Sequence, residues 1–235
     1  MKIAIIVPIT GLTEEDMEHR RKLAEATVQR GTKVEFLKVG KGPPSIESRY
    51  EEELAAEGIL QKVKEAERRG DDAVIIWCMG DPALGAAREL VRIPVIGPGE
   101  TAMMLAHTLA GKFSVITPLG GMMMQIEEQV RKIGLSDSLA SVHALGIRVL
   151  ELRRDMNKTK RLVVEASREA MEKHGAAAVV LHCLGMGGLA REVQEVVGIP
   201  VIDPATTSLK FAEMLVELGL SQSKATYPKP PKETD

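Results

Sequence analysis

Cysteine occurs twice in this 235-residue chain, as Cys78 and Cys183. Residues 73–84 read AVIIWCMGDPAL and residues 178–189 read AVVLHCLGMGGL, with five of twelve positions identical. Each thiol closes an aliphatic run and opens a glycine-containing turn, with a helix expected to start near Ala83 or Leu189. In open α/β sheets the carboxyl ends of the strands form the ligand crevice. A thiol placed there meets backbone N–H groups and the positive end of a helix, and both favour thiolate. Unperturbed cysteine titrates near about 8.5, so a modest downward shift yields a base at neutral pH. Two such groups on opposite walls of one cleft suit one task in particular. One removes a proton from a carbon centre and the other returns a proton to the opposite face, which is racemisation by two bases. A disulfide is the main rival use of the pair, and metal binding is poorer, since no CxxC or HxxxH spacing is present. Taken singly, each cysteine reads as a small buried hydrophobe; their matched placement changes that reading.

The elements that must position the thiols are legible as alternating types. Short aliphatic runs occur at 3–7, 33–39, 73–78, 93–96, 113–117, 177–183 and 199–202. Such uninterrupted runs indicate parallel strands covered on both faces. Charged segments with helical spacing lie between them, at 14–30, 51–69, 100–110, 122–133, 157–174 and 207–219. Thr13, with Asp16 three positions on, forms a capping-box pattern before the first of these. Alternation of the two types defines an α/β fold. The chain also repeats itself. KIAIIVPIT (2–10) matches KFSVITPLG (112–120), and IPVIGP (93–98) matches IPVIDP (199–204) in five of six positions. With the cysteine windows these are three matches in one order, at offsets of 110, 105 and 106. An internal duplication follows, giving two similar α/β lobes related by a pseudo-twofold axis with the thiols facing one interlobe cleft.

Composition narrows the function classes. Hydrophobic residues make up 44% of the chain, enough for a substantial core, and the net charge is −2 with no cationic block. That disfavours binding to nucleic acid through phosphates. No apolar run reaches the roughly 18 residues of a membrane span, and the apolar start, 1–8, is shorter than a signal peptide. A cytoplasmic protein with reduced thiols is expected. A single asparagine, Asn157, among many Glu, Lys and Arg leans towards a heat-adapted source. The Pro- and Lys-rich tail after Leu220 reads as a frayed terminus.

The motifs together resemble the hydantoin and allantoin racemases of the aspartate/glutamate racemase superfamily. The resemblance is carried by Cys-x-Gly-Asp-Pro-x-Leu with Ala-Arg-Glu-Leu downstream (78–90), IPVIG (93–97) and Gly-Pro-Pro-Ser-Ile-Glu-Ser (42–48). Phe-Ser-Val-Ile-Thr (113–117), Cys-Leu-Gly-Met (183–186), Ile-Pro-Val-Ile-Asp (199–203) and Tyr-x-x-Pro-Pro-Lys (227–232) extend it nearly end to end. It implies two Rossmann-like (flavodoxin-like) lobes with parallel sheets, residues 1–97 plus 205–235 forming one and 98–204 the other. It further implies an active-site cleft between the lobes, no metal or organic cofactor, a small-molecule substrate and a homo-oligomer. Cys78 and Cys183 would be acid and base. The N–H groups of Met79, Gly80, Leu184 and Gly185 would hold substrate carbonyls. Ile46, Thr117 and Met186 fall in the motifs that line the pocket. One departure stands out: relatives often carry Asn-Pro-Asn-Thr after the first strand, where this chain has Val7-Pro8-Ile9-Thr10.

Three readings follow: a racemase of 5-monosubstituted hydantoins or allantoin, an aspartate or glutamate racemase, and a two-lobed protein that binds a small ligand without chemistry. The second is disfavoured because few cationic residues lie in the strand-end motifs. Among other residues, His182 and Trp77 each precede a cysteine, and strand alternation points them away from the thiols. Met122, Met123 and Met124 read as helix core or as a soft wall over an apolar substituent. His19, His107, His143 and His174 join no constellation. Asp81 is expected to cap the helix that follows it, and Gly97 and Asp203 to shape equivalent turns.

Overall fold

The computed structural model describes residues 1–231. Two four-stranded sheets, all parallel, share one topology. The first contains β1 (Lys2–Val7), β2 (Lys33–Lys38), β3 (Ala73–Ile76) and β4 (Val95–Ile96) in the order β2-β1-β3-β4. The second contains β5 (Phe113–Thr117), β6 (Leu139–Ala144), β7 (Ala178–Leu181) and β8 (Val201–Ile202) in the order β6-β5-β7-β8. This is the 2-1-3-4 winding of flavodoxin-like sheets, repeated once. The central strands are fully buried, AVII in β3 and AVVL in β7, as expected for strands covered on both faces.

Helices α1 (Glu14–Thr27), α2 (Arg49–Arg68), α3 (Leu84–Leu90) and α4 (Pro98–Ala110) follow the strands of the first half. Helices α5 (Met123–Lys132), α6 (Met156–His174), α7 (Ala190–Val197) and α8 (Pro204–Glu217) follow those of the second. Their starts are written locally. Thr13 and Asp16 close a reciprocal capping box at α1, which satisfies two of the helix's unpaired backbone donors. Ser48 and Asp155 cap α2 and α6. Proline opens α4 and α8, where its missing N–H costs nothing.

The two halves are sewn together by an exchange. Helix α4 leaves the first sheet and packs on β5 and β7 of the second; α8 leaves the second sheet and packs on β3 and β4 of the first. The two helices also pack on each other. One core therefore runs through both lobes, joining Ile3, Ile5 and Ile75 to Phe113, Val115 and Val180 by way of Met103 and Leu209. Two further cores lie on the outer faces, under α2 and α3 in one lobe and under α6 and α7 in the other.

Two expectations need correction. The strand β6 has no aliphatic run: LASVHA alternates and is half-buried at a sheet edge. The tail is docked rather than frayed as far as Tyr227. Gln222 pairs with both the N–H and the carbonyl of Val95, and Lys224 Nζ donates to the carbonyls of Arg88, Glu89 and Val91 at the end of α3. Arg88 stacks over Tyr227, 5.6 Å from its ring centre. Lys232, the end of the tail motif, lies outside the described residues.

Candidate active site

Both cysteines sit two residues beyond the end of a strand: β3 ends at Ile76 and β7 at Leu181. The chain then turns sharply. After Cys78 the Asp81 and Ala83 backbones take φ of 51° and 57°, a left-handed conformation that non-glycine residues seldom adopt. After Cys183 a single 3-10 turn, Leu184–Met186, folds back so that the Gly185 N–H donates to the sulfur at 3.3 Å. The Gly80 N–H is turned towards Cys78. Both thiols are free and half-buried.

The two turns face each other across one cleft, and Cys78 and Cys183 both line it. Counted out to its open mouth, solvent included, the cleft spans about 690 Å³. Ile46, Met79, Gly80, Thr117, Leu184 and Gly185 all line it as well. Met186 does not: its side chain is fully buried in the outer core of the second lobe, and only its N–H is turned towards Cys183. Val7 and Ile9 line the first-strand side of the cleft, which makes that wall apolar. Thr117, at the end of β5, is 1% exposed.

A family model described as Asp/Glu/Hydantoin racemase matches residues 7–212. The chain belongs to this family. It is 36% identical to the hydantoin racemase of Pseudomonas sp. (strain NS671), over 99% of this chain and 93% of that one. The allantoin racemase from Klebsiella pneumoniae superposes with a TM-score of 0.93 at 33% identity, covering 100% of this chain and 96% of that one. The allantoin racemase from Pseudomonas fluorescens gives the same score at 32% identity, covering 100% and 99%.

In this family member the thiols are not depressed as their turns suggested. Burial pushes the Cys78 thiol well above its usual range; Gly80 N–H opposes this, while Glu52, Cys183 and Asp81 add to it. Burial also pushes Cys183 up, opposed by the Gly185 N–H, by the Arg20 guanidinium and by the Met186 N–H. The reason is desolvation: an apolar cleft disfavours a localised negative charge, and the N–H groups turned to the sulfurs do not offset it.

Asp81 does not cap α3, whose N-cap Ala83 makes no side-chain bond. It reaches α4 instead, accepting from the N–H groups of Gly99 and Glu100 at 2.9 and 2.8 Å. The other lobe makes the same tie from the opposite end. There Asp203, the N-cap of α8, accepts from Ala205 N–H at 2.9 Å and from Gly188 N–H of the cysteine turn at 2.6 Å. Each cysteine turn is thus fastened to the helix after the fourth strand, with the carboxylate supplied by the turn in one lobe and by the helix in the other.

Several site residues had no motif to announce them. Gln129, on α5, donates to Met79 O and to Asp81 Oδ2, both at 2.9 Å, and accepts from His182 Nε2 at 3.2 Å. It ties the Cys78 turn to the residue before Cys183. His182 lines the cleft because the ladder ends at Leu181 and strand alternation stops there. Burial pulls its imidazole down to about 4, so it is neutral and bonded to Gln129 rather than to a thiol. Trp77 lines the cleft as well while stacking edge-on against Phe36 at 5.8 Å. Met122 supplies a soft wall and is 8% exposed. Arg20, Glu47 and Glu52 bring charge into the lining. Two of them carried a faint signal: Arg20 shares the buried face of α1 with Met17 and Ala24, and Glu52 precedes Ala55 and Ile59 on the buried stripe of α2. A charge at i, i+3, i+7 spacing with buried positions marks a site candidate.

Proposed function

We propose that this protein racemises 5-monosubstituted hydantoins by proton transfer at C5 between Cys78 and Cys183, without a cofactor. The observation that carries the proposal is the pair of free sulfurs on the facing turns of one cleft, in a chain of the racemase family. The C5 hydrogen lies between a ring carbonyl and a ring nitrogen. One thiolate removes it and becomes a thiol, and the electron pair spreads onto the carbonyl oxygen. The opposite thiol then protonates the planar C5 from its other face and becomes the thiolate. No net proton is gained or lost. A thiol held above its usual range is, once ionised, the stronger base that a carbon acid demands. The Gly185 N–H is already engaged with its sulfur, and the Gly80 N–H is turned towards the other. The N–H groups of Met79 and Leu184 are therefore the ones left to meet the developing oxyanion, a donor of this kind being worth roughly 3–4 kcal/mol of barrier.

The substituent at C5 would meet Ile9, Leu12, Ile46, Met122 and Val149. This wall suits alkyl or aralkyl groups. The ureido group of allantoin would leave polar atoms unpaired against it, at about 1–3 kcal/mol each. Loss of optical rotation from enantiopure hydantoins tests the reading. Cys78→Ser and Cys183→Ser should each lose racemisation by about 10²-fold or more, while still exchanging the C5 hydrogen of one enantiomer with deuterated water. Full racemisation by either variant would end the two-base reading. Allantoin turned over faster than a 5-alkyl hydantoin would reverse the substrate assignment.

A further inference from the structure

The two sulfurs are equivalent by repeat, but their charged neighbours are not. Arg20 lies on the buried face of α1, 5% exposed, and lines the cleft. It is poorly paired. Its Nη1 donates to the Asp16 carbonyl at 2.8 Å, the Asp16 carboxylate stands 4.0 Å away, and Nε has no partner. That carboxylate is itself held by the N–H and hydroxyl of Thr13. Arg153, across from α1, adds positive charge near Arg20. The group left to feel the guanidinium is Cys183. Glu47 also faces that sulfur, but its carboxylate is engaged by the Val149 N–H at 2.9 Å and the Ser45 hydroxyl at 3.3 Å.

Around Cys78 the charged groups are Glu52, Asp81 and Cys183, all acidic. Glu52 reaches over the turn so closely that a Cβ built on Gly80 would lie 2.0 Å from its Oε1. Asp81 is turned away onto α4 and Gln129.

We propose that Arg20 holds the negative charge of the resting pair on Cys183, so that Cys183 begins the cycle as base and Cys78 as acid. This rests on the two-cysteine reading above. Resting protein then accepts the enantiomer whose C5–H points at Cys183. After transfer the proton sits on Cys183 and the charge on Cys78, beside Glu52. The pair must then exchange a proton with solvent before a second turnover of the same enantiomer. Arg20 is a positioning residue here: it acts on substrate only through the sulfur.

The test needs no substrate. Wild-type protein is alkylated to low extent with iodoacetamide across a pH series, and each cysteine is read by peptide mass spectrometry. An opposite charge nearby typically moves a titration by about 1–3 units, so the Cys183 midpoint should lie about 1 unit or more below that of Cys78. At a pH below both midpoints this gives about a threefold rate advantage per unit, because the tenfold gain in thiolate is partly offset by its weaker nucleophilicity. Arg20→Met should erase the difference and Arg20→Lys should restore most of it. Glu52→Gln should lower the Cys78 midpoint and leave that of Cys183 in place. Coincident midpoints in the wild type, or Cys78 titrating first, overturn the proposal; this holds even where Arg20→Met fails to fold. Coincident midpoints alongside serine variants that lose racemisation would leave the two-base reading standing and remove only the role of Arg20. Serine variants that keep racemisation would sink the functional reading itself.

Discussion

Replacing Gln129 by leucine should cost both stability and activity, because one side chain links the two cysteine turns. Leucine has nearly the volume of glutamine, so the change removes hydrogen bonds with little change in packing. Three are lost: to the Met79 carbonyl, to the Asp81 carboxylate and from His182. A neutral hydrogen bond contributes about 0.5–1.5 kcal/mol and one to a charged group about 1.5–3 kcal/mol, so the loss should be roughly 2.5–6 kcal/mol. Asp81 keeps its two N–H donors from α4, which sets the lower end of that range. The turn bearing Cys78 loses its anchor to α5, and a displacement of about 1 Å at a reacting group can cost about 10²-fold in rate. Urea unfolding and polarimetry on the same preparation would measure the two effects. Gln129→Glu is the sharper companion. It retains the acceptor for His182 but sets a second carboxyl against Asp81, whose own carboxyl burial pushes up to about 7. Its stability should recover as pH falls and one of the two acids is protonated. Should Gln129→Leu unfold within about 0.5 kcal/mol of wild type and retain full turnover, the bridge is incidental and the reasoning fails.

Glu52 should leave a signature in stability against pH. Burial raises its carboxyl from 4.5 to about 7, so between those values the folded state holds a proton that the unfolded chain releases. Stability should therefore fall as pH rises through that window, by at most about 1.4 kcal/mol per unit. Glu52→Gln should flatten the slope, as read from urea midpoints at pH 5 and pH 8; an unchanged slope would count against a buried acid. Gly99→Ala would place a Cβ 2.2 Å from both the Met79 carbonyl oxygen and Gln129 Nε2. The backbone oxygen cannot yield without moving the Cys78 turn, so a loss of about 1–3 kcal/mol should come with a fall in kcat. Gly85→Ala in α3 meets nothing within 4 Å, and there thermal melting should show a gain of up to about 1 kcal/mol.

Much of the architecture could be read from local pattern. The central strands are aliphatic runs, since a strand covered on both faces must be apolar throughout, the edge strand β2 shows as alternation, and the capping box at Thr13 is a contact over three residues. The strand β6 escaped because, half-buried at an edge, it carries small and polar residues and no aliphatic run. Ser141 bonds there to Ser114 and to His143, so its polar residues are satisfied and nothing forces an apolar run. The docked tail escaped for a related reason. Gln222 and Lys224 are ordinary solvent-compatible residues, and only the carbonyls presented by α3 and β4 make them anchors.

The duplication, and with it the pairing of Cys78 with Cys183, was written in the order of residues alone, because a repeat of chain segments repeats the strand ends that carry the thiols. The charge around each sulfur was not. It depends on Arg20 and Glu47, which reach Cys183 from the other lobe, and on Glu52, brought over Cys78 by α2; Asp81 alone is local to its sulfur. Helical spacing can show that Arg20 faces inward, but not that its uncompensated charge falls on Cys183. Tertiary packing decided that, because Coulomb interactions and desolvation depend on distances in space, which residue order does not specify.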